Sequence, residues 1–426
     1  MRFVRVLMLS WEYPPKIVGG LGRHVTALCD AFRILGVDVT LVANVNEGDE
    51  YEERGTLRIR RVREHVPGAL SFCESVAQAN TLLLQGVLAE LERGRSFDIV
   101  HAHDWLTAYA ARAVKHGLGI PLVATVHATE WGRNGGLYDD RQRHISDVEW
   151  WLTFEAWRVI CCSEAMRSEL IRIFQVPADK LRVIPNGVAV PPQRELDGRW
   201  GAIGDPSGSG APAGAKEILF VGRLVYEKGV DLLLEAFRRV LHVHPDAFLH
   251  VAGAGPEEGA LQSLAWRLGI AGRVRFHGYI SDEARNRLYR SARAAVVPSR
   301  YEPFGIVALE AMAFGAPVVA ARTGGLAEVV EDRTTGLLFA PGDVEGLAAR
   351  LVELLSAPAL AQSLARRAHE RVLERYDWRQ IAQRTLAVYR EILAEPSGRP
   401  RPTPSDRGLG RSADEQVEVY YQRQGV

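Results

Sequence analysis

The densest chemistry in this 426-residue sequence lies in Pro298-Ser299-Arg300-Tyr301-Glu302-Pro303-Phe304-Gly305, ahead of a helical pattern over 306–314 that carries Glu310. Glu302 and Glu310 stand in an E-x7-E arrangement. Eight residues advance a helix by roughly two turns, so the two acids can share one side of a ligand. Backbone amides near Phe304 and Gly305, at a helix start, would face an anion. Carboxylates are poor phosphate ligands and good acceptors for sugar hydroxyls. A second cluster, Gly222-Arg223-Leu224-Val225-Tyr226-Glu227-Lys228-Gly229, puts two cations and two glycines after a strand-like run. Arginine grips phosphate oxygens as a fork and lysine adds a mobile point charge. Thr323-Gly324-Gly325 offers further glycine amides after another such run. The plainer alternatives are a solvated, capped helix for the first cluster and a solvated surface loop for the second.

The N-terminal half carries Gly19-Gly20-Leu21-Gly22 before a helical pattern, with His101-Ala102-His103-Asp104-Trp105 and Thr125-Val126-His127-Ala128-Thr129-Glu130 at strand ends. The glycines can bring amides close to an anion at a helix start, or simply make a tight turn. They do not form G-x-G-x-x-G, because Val25 stands where the third glycine belongs; Gly253-Ala254-Gly255 fails the same test at Glu258. Side chains alternate along a strand, so only His101 and His103 share a face. No Cys or His elsewhere completes a ligand set with them, so no metal is expected there, and they read as core, interface or pocket-lining residues. His127 suits polar contact with a substrate at neutral pH.

Taken together, the second half offers cations, helix-mouth amides and two hydroxyl-accepting acids, which suits a sugar nucleotide. No D-x-D occurs. The usual carboxylate pair for a metal-bridged diphosphate is therefore missing, and Arg223 and Lys228 would supply the positive charge with no cofactor.

These clusters need a scaffold that places them all at strand ends. Short apolar runs at 4–9, 39–42, 99–101, 122–125, 159–162 and 182–184 alternate with helical patterns such as 24–35 and 81–93. The alternation restarts at 218–221 and continues with 249–253, 274–277, 295–298 and 318–320. Strand-helix-strand repetition implies α/β architecture with parallel sheets covered on both faces. A stretch rich in Gly, Pro, Ser and Ala separates the halves. The expected organisation is two doubly wound, Rossmann-like domains: 1–190, a linker at 191–214, 215–375, a helix at 376–394, and a mobile Pro/Arg-rich tail at 395–426. In such sheets ligands bind beyond the carboxyl ends of the strands.

Composition narrows the function. Lys+Arg and Asp+Glu are each 52, so the balanced charge argues against a nucleic-acid partner. The four cysteines, Cys29, Cys73, Cys161 and Cys162, lack Cys-x-x-Cys spacing and read as reduced, mostly buried thiols. The N-terminus lacks a signal-peptide core, and no apolar run approaches the roughly 20 residues of a membrane helix. A cytoplasmic protein without an integral membrane segment is expected.

At these residues the sequence resembles the GT-B retaining glycosyltransferases of family 4 and the related glycogen and starch synthases. The resemblance runs to about Leu393, with Gly19–Gly22, His101–Trp105, His127, Asn186-Gly187, Gly222-Arg223, Glu227-Lys228-Gly229, Glu302–Gly305, Glu310 and Thr323–Gly325 in family order. Trp11-Glu12-Tyr13-Pro14-Pro15 and the two histidine clusters look most like short actinobacterial α-1,4-glucosyltransferases of the glycogen and methylglucose lipopolysaccharide type. The resemblance implies a donor of UDP- or ADP-glucose and an oligo- or polysaccharide acceptor. Arg223 and Lys228 would neutralise the leaving diphosphate, with Gly20 approaching it from the N-terminal domain. Glu302, helped by amides around Phe304 and Gly305, would hold hexose hydroxyls; Glu310 would accept from the ribose, and Thr323, Gly324 and Gly325 would complete the donor site. His127 would contact the 6-hydroxyl of the transferred sugar. His103, Asp104, Thr129 and Glu130 are acceptor-side candidates, and the last helix would cross back to the N-terminal domain. Glu310 departs from the larger bacterial glycogen synthases, which often lack the second acid, and so weakens any choice between ADP and UDP.

Two other transferase acceptors stay open, an inositol phosphate or a lipid-linked sugar. Either would call for extra basic or amphipathic surface, and Arg58, Arg60, Arg61 and Arg63 could supply the basic part, although they read more simply as a solvated strand face. A sugar-nucleotide epimerase of the same fold, needing no acceptor groove, is the alternative of another class; a non-catalytic carbohydrate binder would not need Arg223, Lys228, Glu302 and Glu310 together.

Overall fold

The computed structural model describes residues 4–17, 19–45, 47–48, 50–63, 71–191, 211–212 and 214–395. The expected linker lies almost wholly outside these residues, as does the expected tail beyond 395. Fourteen described strands form two sheets. The first contains β1 (Arg5–Ser10), β2 (Asp38–Val45), β3 (Tyr51–Arg54), β4 (Leu57–Arg63), β5 (Ile99–His103), β6 (Leu122–Val126), β7 (Arg158–Cys161) and β8 (Leu181–Val183). Its order is β3-β4-β2-β1-β5-β6-β7-β8. The second contains β9 (Lys216–Val221), β10 (Ala247–Ala252), β11 (Val274–Gly278), β12 (Ala294–Val297), β13 (Val318–Ala321) and β14 (Leu337–Phe339), in the order β11-β10-β9-β12-β13-β14.

All described strand pairs are parallel except β3 with β4. Strand interiors read as continuous apolar runs because helices cover both faces; Val6 through Leu9 are fully buried. The sequence pattern locates most strands to within a residue or two. It reads the arginines of β4 as a strand face but misses β3, whose four residues are polar and charged, and β14, which spans three residues.

The four arginines on and beside the hairpin correct the expectation of a solvated strand face. Arg60 is 4% and Arg61 6% exposed. The Arg60 guanidinium donates to Glu90 at 2.6 Å and Glu50 at 2.8 Å, and Arg61 donates to Glu52 at 2.7 Å. Arg58 pairs with Asp38 and Glu53. Only Arg63 is exposed, and it donates to the Gly48 carbonyl. Buried cations require partners, and acids on β2, on and just before β3, and on the helix Phe72–Glu92 provide them.

In each sheet the chain grows one way and then returns to the other side of its first strand. This places switch points between β1 and β5 and between β9 and β12, where ligand crevices form in open α/β sheets. The terminal helix Trp378–Ala394 packs on the first helix, Gly20–Ile34, and joins the N-terminal core through Ile381, Leu386, Tyr389 and Ile392. Its Tyr389 hydroxyl bonds His101 Nδ1 at 2.6 Å, while Trp378 lies against Gly187, where a Cβ would come 2.6 Å from the indole. Cys29, Cys161 and Cys162 are buried and free; Cys73 is free and half-buried. No described helix is long and apolar enough to cross a membrane.

Candidate active site

Three strand-end loops of the C-terminal lobe are tied together. The turn after β9 places Tyr226-Glu227-Lys228 in one 3-10 turn, and Gly229 follows with φ +67°. A Cβ there would overlap the Pro298 carbonyl, so glycine lets this turn lie against the loop after β12. The Arg300 amide donates to the Glu227 carbonyl at 2.8 Å, and its guanidinium forks onto Asp231 at 2.8 and 2.6 Å. The loop after β13 joins through the Gly325 amide, 3.0 Å from the Glu302 carbonyl, and the Thr323 hydroxyl, 3.2 Å from the Arg300 carbonyl. Gly324, with φ +46°, lies so close to that Glu302 carbonyl that a Cβ would overlap it.

This bracing fixes the charged residues. Lys228 Nζ donates to Glu302 Oε2 at 2.8 Å, with both side chains mostly buried, and Ser299 donates to the same oxygen at 3.3 Å. Arg223 is half exposed and pairs with Glu227 at 3.3 Å. Phe304 is buried against Tyr376, and Gly305, with φ +106°, leads into the helix Ile306–Ala313. Glu310 lies buried in that helix and accepts from Tyr289 at 3.1 Å and from Arg23 at 3.1 Å; Arg285 stands 3.7 Å away. Burial pushes the Glu310 carboxyl up, opposed chiefly by the charge of Arg23. The two acids therefore sit in different settings, one locked to Lys228 and the other bridged to the opposite lobe.

The N-terminal lobe meets this surface closely. A Cβ on Gly20 would lie 3.0 Å from Ile306 Cδ1, so the two helix starts face each other. Gly19 and Gly305 precede these helices, and neither helix start has a side-chain cap. Glu12 accepts the Gly19 amide at 3.1 Å. Uncapped helix starts from the two lobes, lying this close together, are a setting that favours an anion beside them.

Three histidines cluster in the N-terminal lobe. His103 Nδ1 and His127 Nε2 share a hydrogen bond of 3.1 Å, and their rings stack at 5.4 Å. His24, whose Nδ1 bonds Asn186 at 2.7 Å, lies 4.7 Å from the His127 ring. Sequence spacing suggested that nothing completes a set with the strand histidines; in three dimensions His24, His103 and His127 bring ligand-type atoms within 4.8 Å of one another. The fold joins positions far apart in the chain, which spacing along one strand cannot show. Burial pushes the imidazoles down, His127 to about 4 and His24 to about 3, keeping both neutral near pH 7. His101 sits behind them, bonded to Tyr389 and to Thr125 at 2.7 Å.

Asp104 holds His127 in place. Its backbone adopts φ 58°, uncommon for a residue with a Cβ, and its Oδ1 accepts the His127 amide at 2.7 Å. Burial pushes its carboxyl up to about 6, against the charge of Arg133 and backbone amides. Thr129 meets the opposite lobe, and Glu130 is held within its own. The Thr129 amide donates to the Tyr301 hydroxyl at 3.4 Å, and the Thr129 and Tyr301 hydroxyls both donate to Glu169, at 2.5 and 3.0 Å. The Glu130 amide donates to Glu149, and its carboxylate accepts from Asn134 at 3.1 Å. The lobes are further joined by Ser163 donating to the Pro303 carbonyl at 2.7 Å and by Glu328 accepting the Glu164 and Ala165 amides. Sequence reasoning did not single out Arg23, His24, Asp282, Tyr289 or Tyr301. Arg23 and His24 directly follow Gly22, and Tyr301 precedes Glu302, so adjacency was the available signal.

Two lobes with parallel sheets, facing each other across strand-end loops, define the GT-B architecture. A glycosyltransferase family 4 model matches residues 18–190, and a glycosyl transferases group 1 model matches 205–371. The chain is 36% identical over 399 residues to an uncharacterized glycosyltransferase of Methanocaldococcus jannaschii, covering 93% of this chain and all of that one. It is 37% identical over 417 residues to a glycogen synthase of Mycobacterium tuberculosis, covering 94% and 97%. The sucrose-phosphate synthase of Thermosynechococcus elongatus shares the fold, with a TM-score of 0.76 at 24% identity, over 92% of this chain and all of that one. The chain belongs to glycosyltransferase family 4, and it is a hexosyltransferase enzyme.

Proposed function

We propose that this enzyme moves glucose from UDP- or ADP-glucose to the non-reducing end of an α-1,4-glucan, with retention at the anomeric carbon. The observation that carries the donor half is the facing pair of helix starts at Gly20 and Ile306, with Lys228 beside Glu302 in the same braced loops. A diphosphate in that gap would meet amide dipoles from both lobes and cations from one. Likeness to a glycogen synthase along nearly the whole chain supports the glucan half. The arginines that could have formed a basic surface for an anionic acceptor are largely committed to internal carboxylates, which favours the neutral glucan.

In this reading the bond from the anomeric carbon to the phosphate oxygen breaks as the bond to the acceptor 4-oxygen forms on the same face. The acceptor proton passes to the departing phosphate. Arg223 and Lys228 stabilise the charge that develops on the diphosphate, in a closed, water-poor cleft and without a metal. Glu302 holds hexose hydroxyls, Glu310 the ribose, and neutral His127 the sugar 6-hydroxyl. Gly20, Phe304, Gly305, Thr323, Gly324 and Gly325 shape the donor site, and His103, Asp104, Thr129 and Glu130 line or support the acceptor side. The test is nucleotide release from UDP- and ADP-glucose with and without maltooligosaccharide, together with linkage analysis of the product. Acceptor-dependent release with a new α-1,4 bond supports the proposal. Release indifferent to glucan, or epimerised donor, rejects it. A trapped covalent glycosyl-enzyme rejects the same-face route.

A further inference from the structure

The contact between the lobes includes an arginine for which the reaction described above gives no role. Arg23 lies on the first turns of the N-terminal helix Gly20–Ile34. Its Nη1 donates to Glu310 Oε1 at 3.1 Å and its Nη2 to Asp282 Oδ1 at 3.2 Å, both in the C-terminal lobe. The other Glu310 oxygen accepts from Tyr289 at 3.1 Å. Asp282 is in turn held by Arg285 at 2.7 Å.

We infer that Arg23 is a positioning residue that reaches across the cleft to orient Glu310 and hold its charge, so that the ribose-binding carboxylate is complete only when the lobes are closed. The inference rests on the proposed donor site and deepens it. Among the described residues of its own lobe, Glu310 receives one hydrogen bond, from a neutral phenol, and the nearest cation, Arg285, is 3.7 Å away and engaged with Asp282. The closer cation arrives from the opposite lobe. A carboxylate needs its charge to accept two sugar hydroxyls, and a buried one keeps it only beside a cation or strong donors. Arg23 supplies both the cation and the donor, with about a third of its side chain still exposed.

The groups facing Glu310 are few. Arg23 comes from the N-terminal helix, and Asp282, Arg285 and Tyr289 come from the helix Asp282–Ser291. The flanking strands β12 and β13 consist of Ala and Val. The helix Pro358–Arg375 sends His369 to the Ala313 carbonyl, at the far end of the helix that carries Glu310. Without Arg23, burial and Asp282 act on the Glu310 carboxyl with less opposition, so it takes up a proton at higher pH.

Calorimetric binding of UDP and of ADP to the full chain, from pH 5 to 8, tests this with no acceptor present. Arg23→Ala should weaken nucleotide binding by about tenfold, the scale of one charge-assisted hydrogen bond. Beyond the fall toward acid that protonation of the nucleotide's own terminal phosphate causes in every variant, the remaining fall should move to higher pH in Arg23→Ala, lie between the two in Arg23→Lys, and vanish in Glu310→Gln. Arg23→Ala binding as tightly as wild type with an unmoved pH profile overturns the inference and leaves the donor site standing, as does tighter binding, which would make Arg23 a competitor for Glu310. Wild-type protein that binds neither nucleotide overturns the donor site and this inference with it.

Discussion

Replacing Lys228 by alanine should separate a catalytic loss from a structural one. Lys228 Nζ donates to Glu302 at 2.8 Å, and the two side chains are 21% and 12% exposed. Removing the lysine has two effects. The departing diphosphate loses a preorganised cation, worth about 3–4 kcal/mol in comparable anion holes, or roughly 10²–10³-fold in kcat. Glu302 also loses its cation while buried, at a cost of about 1–3 kcal/mol in stability. Adding Glu302→Gln to Lys228→Ala removes the stranded charge, so the double variant should regain most of the lost stability and none of the lost turnover. Urea unfolding reads the first quantity, and nucleotide release from UDP- or ADP-glucose in the presence of maltooligosaccharide reads the second. Wild-type-like kcat in Lys228→Ala would refute the assignment. A Lys228→Ala protein that unfolds at the wild-type urea concentration would show that the buried pair carries no net stability.

Gly132→Ala places a methyl group inside the Tyr301 ring. It should impede the closed contact and lower kcat by about 10²-fold, the effect of a misplacement of about 1 Å, while Tyr301→Ala added to it recovers part of the loss in the same turnover assay. Tyr389→Phe leaves His101 Nδ1 buried without its 2.6 Å partner and should cost about 1–3 kcal/mol in urea unfolding; an unchanged midpoint contradicts the terminal helix's role as a polar anchor. Stability should fall in acid. His24 and His127 have folded values of about 3 and about 4, below the ordinary 6.5, so the unfolded chain binds more protons between those limits. Their contribution is full above about pH 6.5 and is lost as pH falls toward 4 for His127 and 3 for His24, and His127→Gln should flatten that slope in unfolding measured at successive pH values.

Much of this architecture is legible in the chain because buried parallel strands leave unbroken apolar runs. β1, β6, β9 and β13 all appear that way, and the loops after them carry the unusual residues. Local glycine requirements are legible too: Gly229, Gly305 and Gly324 occupy positive-φ turns that a side chain would strain. The β3–β4 hairpin is not, since Arg60 and Arg61 are buried by partners on other elements and a run of arginines reads as solvated. The cross-lobe contacts are equally silent. Arg23 and Glu310 are 287 positions apart, and no local pattern says that two separate sheets will press them together. His24 joins His103 and His127 for the same reason.

In the proposed reaction, side chains of the C-terminal lobe, helped by amides of both lobes, hold a diphosphate while its sugar departs. Turnover of UDP- and ADP-glucose with maltooligosaccharide, measured in excess chelator, tests this most directly. Acceptor-dependent nucleotide release should continue at an undiminished rate, and fall roughly 10²–10³-fold in Lys228→Ala. Release that stops with chelation and returns with an added divalent cation would contradict it.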